Sequence, residues 1–581
     1  MKRLLLYLRT LFYLKPKQTL YFFLRRILPA PRINFSSIDA RPRTGIVIHP
    51  CLAYKHEVKD QFEFRFLNRS KRFTGGDIDW VTQEMPKLWR YNLHYFDYLQ
   101  DPGRSSAARA RLIDDWIAKN PPGTEDAWEP YTVSLRIVNW IKYFLQSPPH
   151  PNPLPEGEGT RVGTSAPEKR THGNIPLDRR WLVSLHQQAL WLERNIEYHL
   201  LANHYLKNGV ALFFAGMYFE GAEADRWLEK GLRILTEEAE EQFLPDGGHY
   251  ERSPMYHSIC LEDYLDVLNV ALSNPGLASK EVVERFKQTA TAALDLLNDI
   301  CLPDGEIPLF NDSAFGIAPP PAKLFEYAQG IIGYRKPDDA GGVRAVAKSD
   351  SGYYVVRAGG DMLVVDCGAI GPDYQPGHAH CDTLSYELAL DGRRVIVDSG
   401  VHDYESGPRR QYSRSTRGHN TVVIDGQEQS EIWGLFRVAR RAKPLGAAIA
   451  RLPGNGVRFE GMHDGYRRLP GRVVHKRVIE YDGSGTWTVL DEVSGTGRHS
   501  AESYIHLHPD YSAKRGKDCI EILKKDGKAI GRLEVIGNAS ISFEAGHYFP
   551  EFGMELENLV IMLSCSGTLP LEFGYRISKG H

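Results

Sequence analysis

The chain has 581 residues, with 71 Lys and Arg against 73 Asp and Glu and a formal net charge of −2. That length exceeds one ordinary core and implies two or more domains. The balanced charge excludes a general nucleic-acid binder working through bulk electrostatics, so an anionic ligand has to be gripped locally.

Residues 1–75 read as a basic N-terminal segment and lead-in. The apolar run from Leu4 to Leu14 is interrupted by Arg9, and no small-x-small site follows, so a cleavable signal is not expected. Lys15, Lys17, Arg25 and Arg26 alternate with Leu, Tyr and Phe. That pattern suits an amphipathic helix able to touch a membrane surface or dock on the body of the protein. No later stretch reaches the ~18 consecutive apolar residues that span a bilayer.

From 76 to 335 the apolar period is helical. Val133, Ile137 and Trp140 fall on one stripe, and Trp191 to Phe219 and Cys260 to Leu272 are spaced alike, which implies stacked helical hairpins. Within them, residues 147–179 are rich in Pro, Gly and charge and read as a disordered insertion. Lys336 to Gly342 reads as a linker. Over 343–581 the period shortens to two, with short apolar runs such as Gly352 to Arg357, Met362 to Val365 and Leu384 to Leu390, and Asp391-Gly392 as a hairpin turn. Val473 to Tyr481 pairs with Thr486 to Asp491 through Asp482-Gly483-Ser484-Gly485. Antiparallel strands in this number imply a β-sandwich after the helical part.

The segment Gly377-His378-Ala379-His380-Cys381-Asp382, followed by Val397-Asp398-Ser399-Gly400 and Arg417-Gly418-His419-Asn420, concentrates imidazoles and carboxylates in one β-rich region. Read as a strand, it turns His378 and His380 to the same side. A metal site with one histidine left for chemistry fits that pattern. Cys381 reads as a small buried residue. The helical half carries Asn203-His204 and the run from Asp246-Gly247-Gly248 through Arg252 to Ser253-Pro254-Met255-Tyr256-His257; taken singly, each is a helix terminus or a turn.

Together and in this order, these segments resemble the heparinase II/III family of polysaccharide lyases. The resemblance implies an incomplete (α/α) toroid followed by a two-layer antiparallel β-sandwich, and cleavage of a uronate-containing polysaccharide by β-elimination. It places Asn203 and His378 on the uronate carboxylate and Tyr256 as base and acid. His380, Asp398 and His419 become ligands of a structural Zn²⁺ on neighbouring strands. A tyrosine's ordinary pKa of about 10 is high for a base, so nearby positive charge or a charge-assisted hydrogen bond has to lower it at Tyr256; His257, Arg252 and Arg414 are the candidates for that help.

Substrate contacts are expected from His204, Arg252, His257, Arg410 and Arg414. The run Arg409 to Arg417 reads either as a guanidinium cradle or as a solvated loop. Trp89 to Phe96, Trp128 to Tyr131 and Arg136 read either as sugar platforms or as core. The expected partner is an anionic uronate polysaccharide, with no nucleic acid and with membrane contact at most peripheral. The expected compartment is the periplasm or cell envelope, the cytoplasm being the alternative. The rival reading is a catalytically inactive, zinc-stabilised polysaccharide-binding protein of exopolysaccharide assembly; a zinc hydrolase, with saturated products, is a third.

Overall fold

The computed structural model describes residues 2–27, 38–53, 62–146, 178–337, 341–516 and 519–580. The expected insertion at 147–179 and the centre of the expected linker at 336–342 fall largely outside them. The chain forms an (α/α) toroid of incomplete circumference and an antiparallel β-sandwich. Its two compact units do not follow one cut in the sequence. One comprises Met1–Leu20, Glu238–Glu262 and Lys287–His581; the other comprises Tyr21–Glu237 and Asp263–Phe286.

The second unit is helical, with helices Lys87–Tyr95, Ser106–Lys119, Pro130–Gln146, Arg179–Arg194 and Ala202–Tyr218. Trp89, Trp116 and Trp140 are fully buried among them. Arg136 is buried as well, its guanidinium 4.0 Å from the Trp116 ring centre and bonded to the carbonyls of Ala127 and His94. Trp89, Tyr95, Phe96 and Trp128 are therefore core and not sugar platforms, whereas Tyr91 and Tyr131 of the same runs remain partly exposed. Gly231 lies so close to the backbone of Phe213 that a Cβ there would sit 2.5 Å from its nitrogen. Only glycine allows the helices Ala202–Tyr218 and Ala222–Gln242 to touch at that point.

In the first unit, strands from 343 onward form an eight-stranded, a five-stranded and a four-stranded antiparallel sheet. Along Val457–His463 and Thr486–Ser494 buried and partly exposed residues alternate, as a sheet with one dry face requires. Tyr353–Ala358 and Asp361–Asp366 are buried on both faces. Tyr354, Val356, Leu363 and Val365 join the sandwich core, whereas Tyr353, Val355, Met362 and Val364 pack on Leu296, Ile300 and Phe310. That double burial is why these strands read as near-continuous apolar runs. The Asp391-Gly392 turn forms as expected: both residues have positive φ, 49° and 78°, and Leu390 pairs with Arg393 across it.

One buried ion pair links the sheets to the loops above them. Arg477 donates to Asp491 at 2.7 and 2.8 Å, to Ser503 Oγ at 3.2 Å, and to the carbonyls of Leu384, at 2.8 Å, and Asn420. Both members are fully buried. Burial alone would raise the Asp491 carboxyl, but Arg477 and His475 outweigh it and hold it well below the carboxylate range. Asn420 continues the link by donating to Tyr386 O and Val397 O and accepting from His506 N.

Replacing Arg477 with Met leaves Asp491 buried without its main cation. Destabilisation by ~3–5 kcal/mol is expected, read as a lower urea midpoint at unchanged denaturant slope; an unchanged midpoint would show that the pair does not hold the sheets.

Candidate active site

The first unit brings together residues from three loops and one helix start. Ser253 caps the helix Pro254–Ser273: its Oγ accepts from Tyr256 N at 3.2 Å, with Pro254 as the first helical residue. The cap is itself fixed, because Ser253 Oγ donates to Asp312 O at 2.7 Å and lies 2.9 Å from Ser313 Oγ. Upstream, Gly247 makes the turn with φ 89°, at a place where a Cβ would overlap the carbonyl of Ala292. Tyr256 is thus placed by backbone geometry in the first turn of a helix.

Its ring stacks on the His378 imidazole, with centres 3.8 Å apart and planes 27° apart, and its phenol oxygen is 3.1 Å from that of Tyr404. Burial, with Asp312 nearby, raises the Tyr404 phenol well above its ordinary value. His378 Nδ1 lies 2.9 Å from Asp312 Oδ2, and its Nε2 lies 3.4 Å from Glu251 Oε2.

Asp312 is the hub of the site. Its carboxylate accepts two bonds from Arg410, one of them at 2.9 Å, as well as the bond from His378 and a 2.8 Å bond from His380 Nε2. Burial on its own would raise this carboxyl; Arg410 and the two imidazoles outweigh it and hold it well below the usual range. Asn311, at φ 56°, donates to Arg252 O, accepts from His380 N at 2.9 Å and gives its own N–H to Asp382 Oδ2.

The segment 377–382 is a loop and not the expected strand; the strand begins at Tyr386. Its backbone groups are engaged by Asn311, by Arg414 O and by local turns, so no ladder forms. His378 and His380 converge through their shared acceptor, Asp312, and not through strand alternation. Asp398 and His419 also lie just outside strands, after Arg393–Ile396 and before Val422–Ile424.

Among the described residues, donor atoms of His380, Asp382 and His419 lie within 4.8 Å of one another, all buried. Asp382 completes this set where Asp398 was expected. Asp398 instead lies behind His419, 2.8 Å from its Nδ1. The arrangement fits a metal ion. His380 gives Nε2–H to Asp312 and His419 gives Nδ1–H to Asp398, and the remaining nitrogens, His380 Nδ1 and His419 Nε2, are buried without a hydrogen-bond partner. Burial lowers His419, but Asp398 and Asp382 outweigh it and raise the imidazole to about 9; burial, opposed by His419 and aided by Asp398, pushes Asp382 up to about 6. Such a pocket favours added positive charge. Cys381 is buried, with Sγ toward Ser430 O, and stands outside the set.

Several expected substrate contacts point elsewhere. Arg252 donates to the carbonyls of Ser351, Tyr250 and Asp350, each at 3.0 Å. Arg414 is buried and donates to Ala379 O, Gly434 O and Arg437 O. His257 is buried between Ala293 O and His249 N. These three side chains have their polar atoms satisfied by backbone, which is the physical reason they do not face a ligand. Arg410 is buried on Asp312, whereas Arg409 and Arg417 are the solvated members of the run, paired with Glu555 and Glu544.

Asn203 belongs to the helical unit, in the first turn of Ala202–Tyr218, and is buried. Leu201 and Ala202 before it both have positive φ, 61° and 54°, a backbone strain that sequence does not require at a helix start. Asn208 holds the preceding loop by accepting from Glu197 N at 2.8 Å and donating to Ser134 Oγ. His204 pairs with Glu197 at 3.1 Å and lies 4.4 Å from the Tyr131 ring.

Sequence reasoning missed Asp312, Tyr404 and Glu251. The Asn311-Asp312-Ser313 triplet was the available signal, three residue types whose side chains bond to backbone where regular structure stops.

The heparinase II/III N-terminus profile matches residues 178–318, and the heparinase II/III-like C-terminal profile matches 341–571. A "Heparin-sulfate lyase" of Pedobacter heparinus is 29% identical over 397 residues, covering 61% of this chain and 54% of that protein. The chain thus spans about half the length of that relative. The "FtsZ-localized protein C" of Caulobacter vibrioides is 26% identical over 483 residues, covering 78% of this chain and 74% of that protein. Among solved structures, a "Crystal Structure of Heparinase III" superposes with a TM-score of 0.67 at 17% identity, covering 97% of this chain and 89% of that one; this likeness concerns the fold.

Replacing Asp312 with Asn removes the anion under a buried guanidinium and should cost ~3–5 kcal/mol of stability. A carboxyl depressed in the native state stabilises the fold above its unfolded value of about 4 and loses that contribution as pH falls further. The wild type should therefore weaken below about pH 4 more steeply than Asp312→Asn; parallel acid limbs in denaturation would rule out this role.

Proposed function

Because the chain belongs to the heparinase II/III-like family, we propose that it is a polysaccharide lyase that cleaves a uronate-containing glycan by β-elimination. The observation that carries this reading is the Tyr256 phenol, stacked on His378 and 3.1 Å from a second phenol, Tyr404. β-Elimination needs a base for the proton at C5, donors for the charge that builds on the carboxylate, and an acid for the oxygen leaving C4. Tyr256 takes the C5 proton as phenolate, the C5 electrons form the C4–C5 double bond, the C4–O4 bond breaks, and O4 receives a proton.

Tyr404, whose phenol burial keeps protonated, stabilises the Tyr256 phenolate by donating to it and can pass a proton along the pair. His378, which gives Nδ1–H to Asp312, donates Nε2–H to the uronate carboxylate when both ring nitrogens carry a proton, and the substrate would then displace Glu251 from that nitrogen. Asn203 is the second carboxylate donor, its strained helix start being the feature that supports a positioned amide. His204 remains the substrate contact of the helical unit.

His380, His419 and Asp382 are the residues that would hold a zinc ion, with Asp398 orienting His419. When bound, the ion would act as a structural cross-link between the loops at 380 and 419. The relatives' names point to a heparan-type polymer. The internal commitment of Arg252, Arg410 and Arg414 favours a sparsely sulfated uronate polymer over a densely sulfated one. A second reading, a binding protein without catalysis, draws on the Caulobacter relative, whose name records a location and not a reaction.

Incubation with heparan sulfate, unsulfated heparosan and alginate, followed by ultraviolet absorbance of the unsaturated product, tests the reading. Product is expected from at least one uronate polymer. Tyr256→Phe should lower kcat by about 10²–10⁴-fold with little change in KM. Binding without any unsaturated product would favour the second reading.

Metal analysis of the purified chain should find about one zinc per molecule. His419→Ala should lose it and melt earlier, and an equal zinc content in that variant would refute the site.

A further inference from the structure

The first 27 residues carry Lys2, Arg3, Arg9, Lys15, Lys17, Arg25 and Arg26 and not a single Asp or Glu. They form two helices, Lys2–Leu11 and Pro16–Ile27, separated at Pro16, where the sequence suggested one. The first helix is docked on its own unit along one side. Arg9 pairs with Glu431 at 2.9 Å, the Tyr7 ring lies 4.7 Å from Trp433, and Trp433 Nε1 donates to Thr10 Oγ1 at 3.1 Å.

The other side is apolar and open to solvent. Leu4, Leu8, Leu11 and Phe12, at i, i+4, i+7 and i+8, are 63, 55, 56 and 84% exposed. The second helix repeats the pattern with Leu20, Phe23 and Ile27. Of the 17 large apolar residues exposed among the described residues, 10 lie in this short segment, so the exposure is concentrated and not scattered as on an ordinary surface. Beside the first helix runs a groove of about 420 Å³ lined by Leu8, Arg9, Phe12, Tyr13, Ala439 and Arg440, which joins apolar walls to two guanidinium groups.

We propose that these helices hold the protein on an anionic phospholipid bilayer, with the Leu4, Leu8, Leu11 and Phe12 face at the acyl boundary and the flanking lysines and arginines on lipid phosphates. Charge selects this occupant. A purely apolar partner would leave unexplained a segment of 27 residues with seven basic and no acidic residues, of which Arg9 and Lys15 are engaged by Glu431 and Glu241, whereas an anionic leaflet attracts such a segment. An interfacial helix needs this combination of an apolar face and a basic border. No helix among the described residues is long and apolar enough to cross a membrane, so attachment of this kind lies in the plane of the surface. The docked side, through Arg9, Thr10 and Tyr7, fixes the helix to the hairpin at 431–441, and attachment would therefore orient the sandwich unit as a whole.

Co-sedimentation of the full chain with vesicles distinguishes the outcomes. The protein is expected to sediment with equimolar phosphatidylcholine–phosphatidylglycerol vesicles, to bind pure phosphatidylcholine much less, and to be released as salt is raised. Leu8→Asp combined with Phe12→Asp should weaken binding at least about tenfold, and Arg3→Glu with Lys17→Glu should abolish the preference for the anionic lipid, both at unchanged melting temperature. Retention of the chain in the supernatant, or equal sedimentation of the Leu8→Asp/Phe12→Asp variant, overturns the proposal. So does a dimer in solution that these substitutions dissociate while vesicles bind nothing, because the face would then belong to a second copy.

Discussion

The geometry of the site depends on one fully buried carboxylate. Asp312 costs much to desolvate, and an ionised carboxylate at that depth persists only when its lone pairs are filled. Four donors fill them: two from Arg410 and one each from His378 and His380. The same four bonds decide the orientation of everything around them. His378 cannot rotate away from Tyr256 without abandoning Asp312, and His380 must keep its proton on Nε2. Asn311 and Ser313 on either side of Asp312 bind the 252–253 turn and the 380 loop, so the acceptor and its donors are positioned by the same short segment.

Much of the fold could be read from local pattern, because the pattern was enforced by burial. The Asp391-Gly392 hairpin, the paired strands at 474–481 and 486–494, and the helical stripe at 133, 137 and 140 each follow from one dry face or one turn type. The site was legible only in part. Tyr256 and His378 are in stacking contact, yet the segment holding His378 was read as a strand, because alternation says nothing about whether a neighbour is present to complete the ladder. In 377–382 the neighbour is a side chain, Asn311, and the backbone stays irregular.

Arginine was the least readable residue type. Arg252, Arg410 and Arg414 looked like ligands for an anion, and all three are used to satisfy the protein itself, two of them on backbone carbonyls and one on Asp312. A guanidinium has five donors and fits a cluster of carbonyls as well as it fits a carboxylate. Nothing in the spelling of Arg-x-x-x-Arg separates these uses. Asp312 was invisible for a different reason: it lies 66 residues before His378, and a partner at that separation leaves no spacing to recognise.

His380 is where structural and chemical demands meet. One nitrogen is held by Asp312, and the other points into the set formed with Asp382 and His419. Any change in what occupies that set alters the charge on His380, hence the strength of its bond to Asp312, and then the hold of Asp312 on His378. The route runs entirely through hydrogen bonds of 2.8 and 2.9 Å between buried groups, where weak screening makes such bonds sensitive to neighbouring charge. An ion at His380 and His419 therefore need not touch substrate to matter for the imidazole that stacks on Tyr256. The protein keeps the cation-favouring pocket and the phenol pair on two sides of one carboxylate, Asp312, which holds His380 of the first through one oxygen and His378 beside the second through the other.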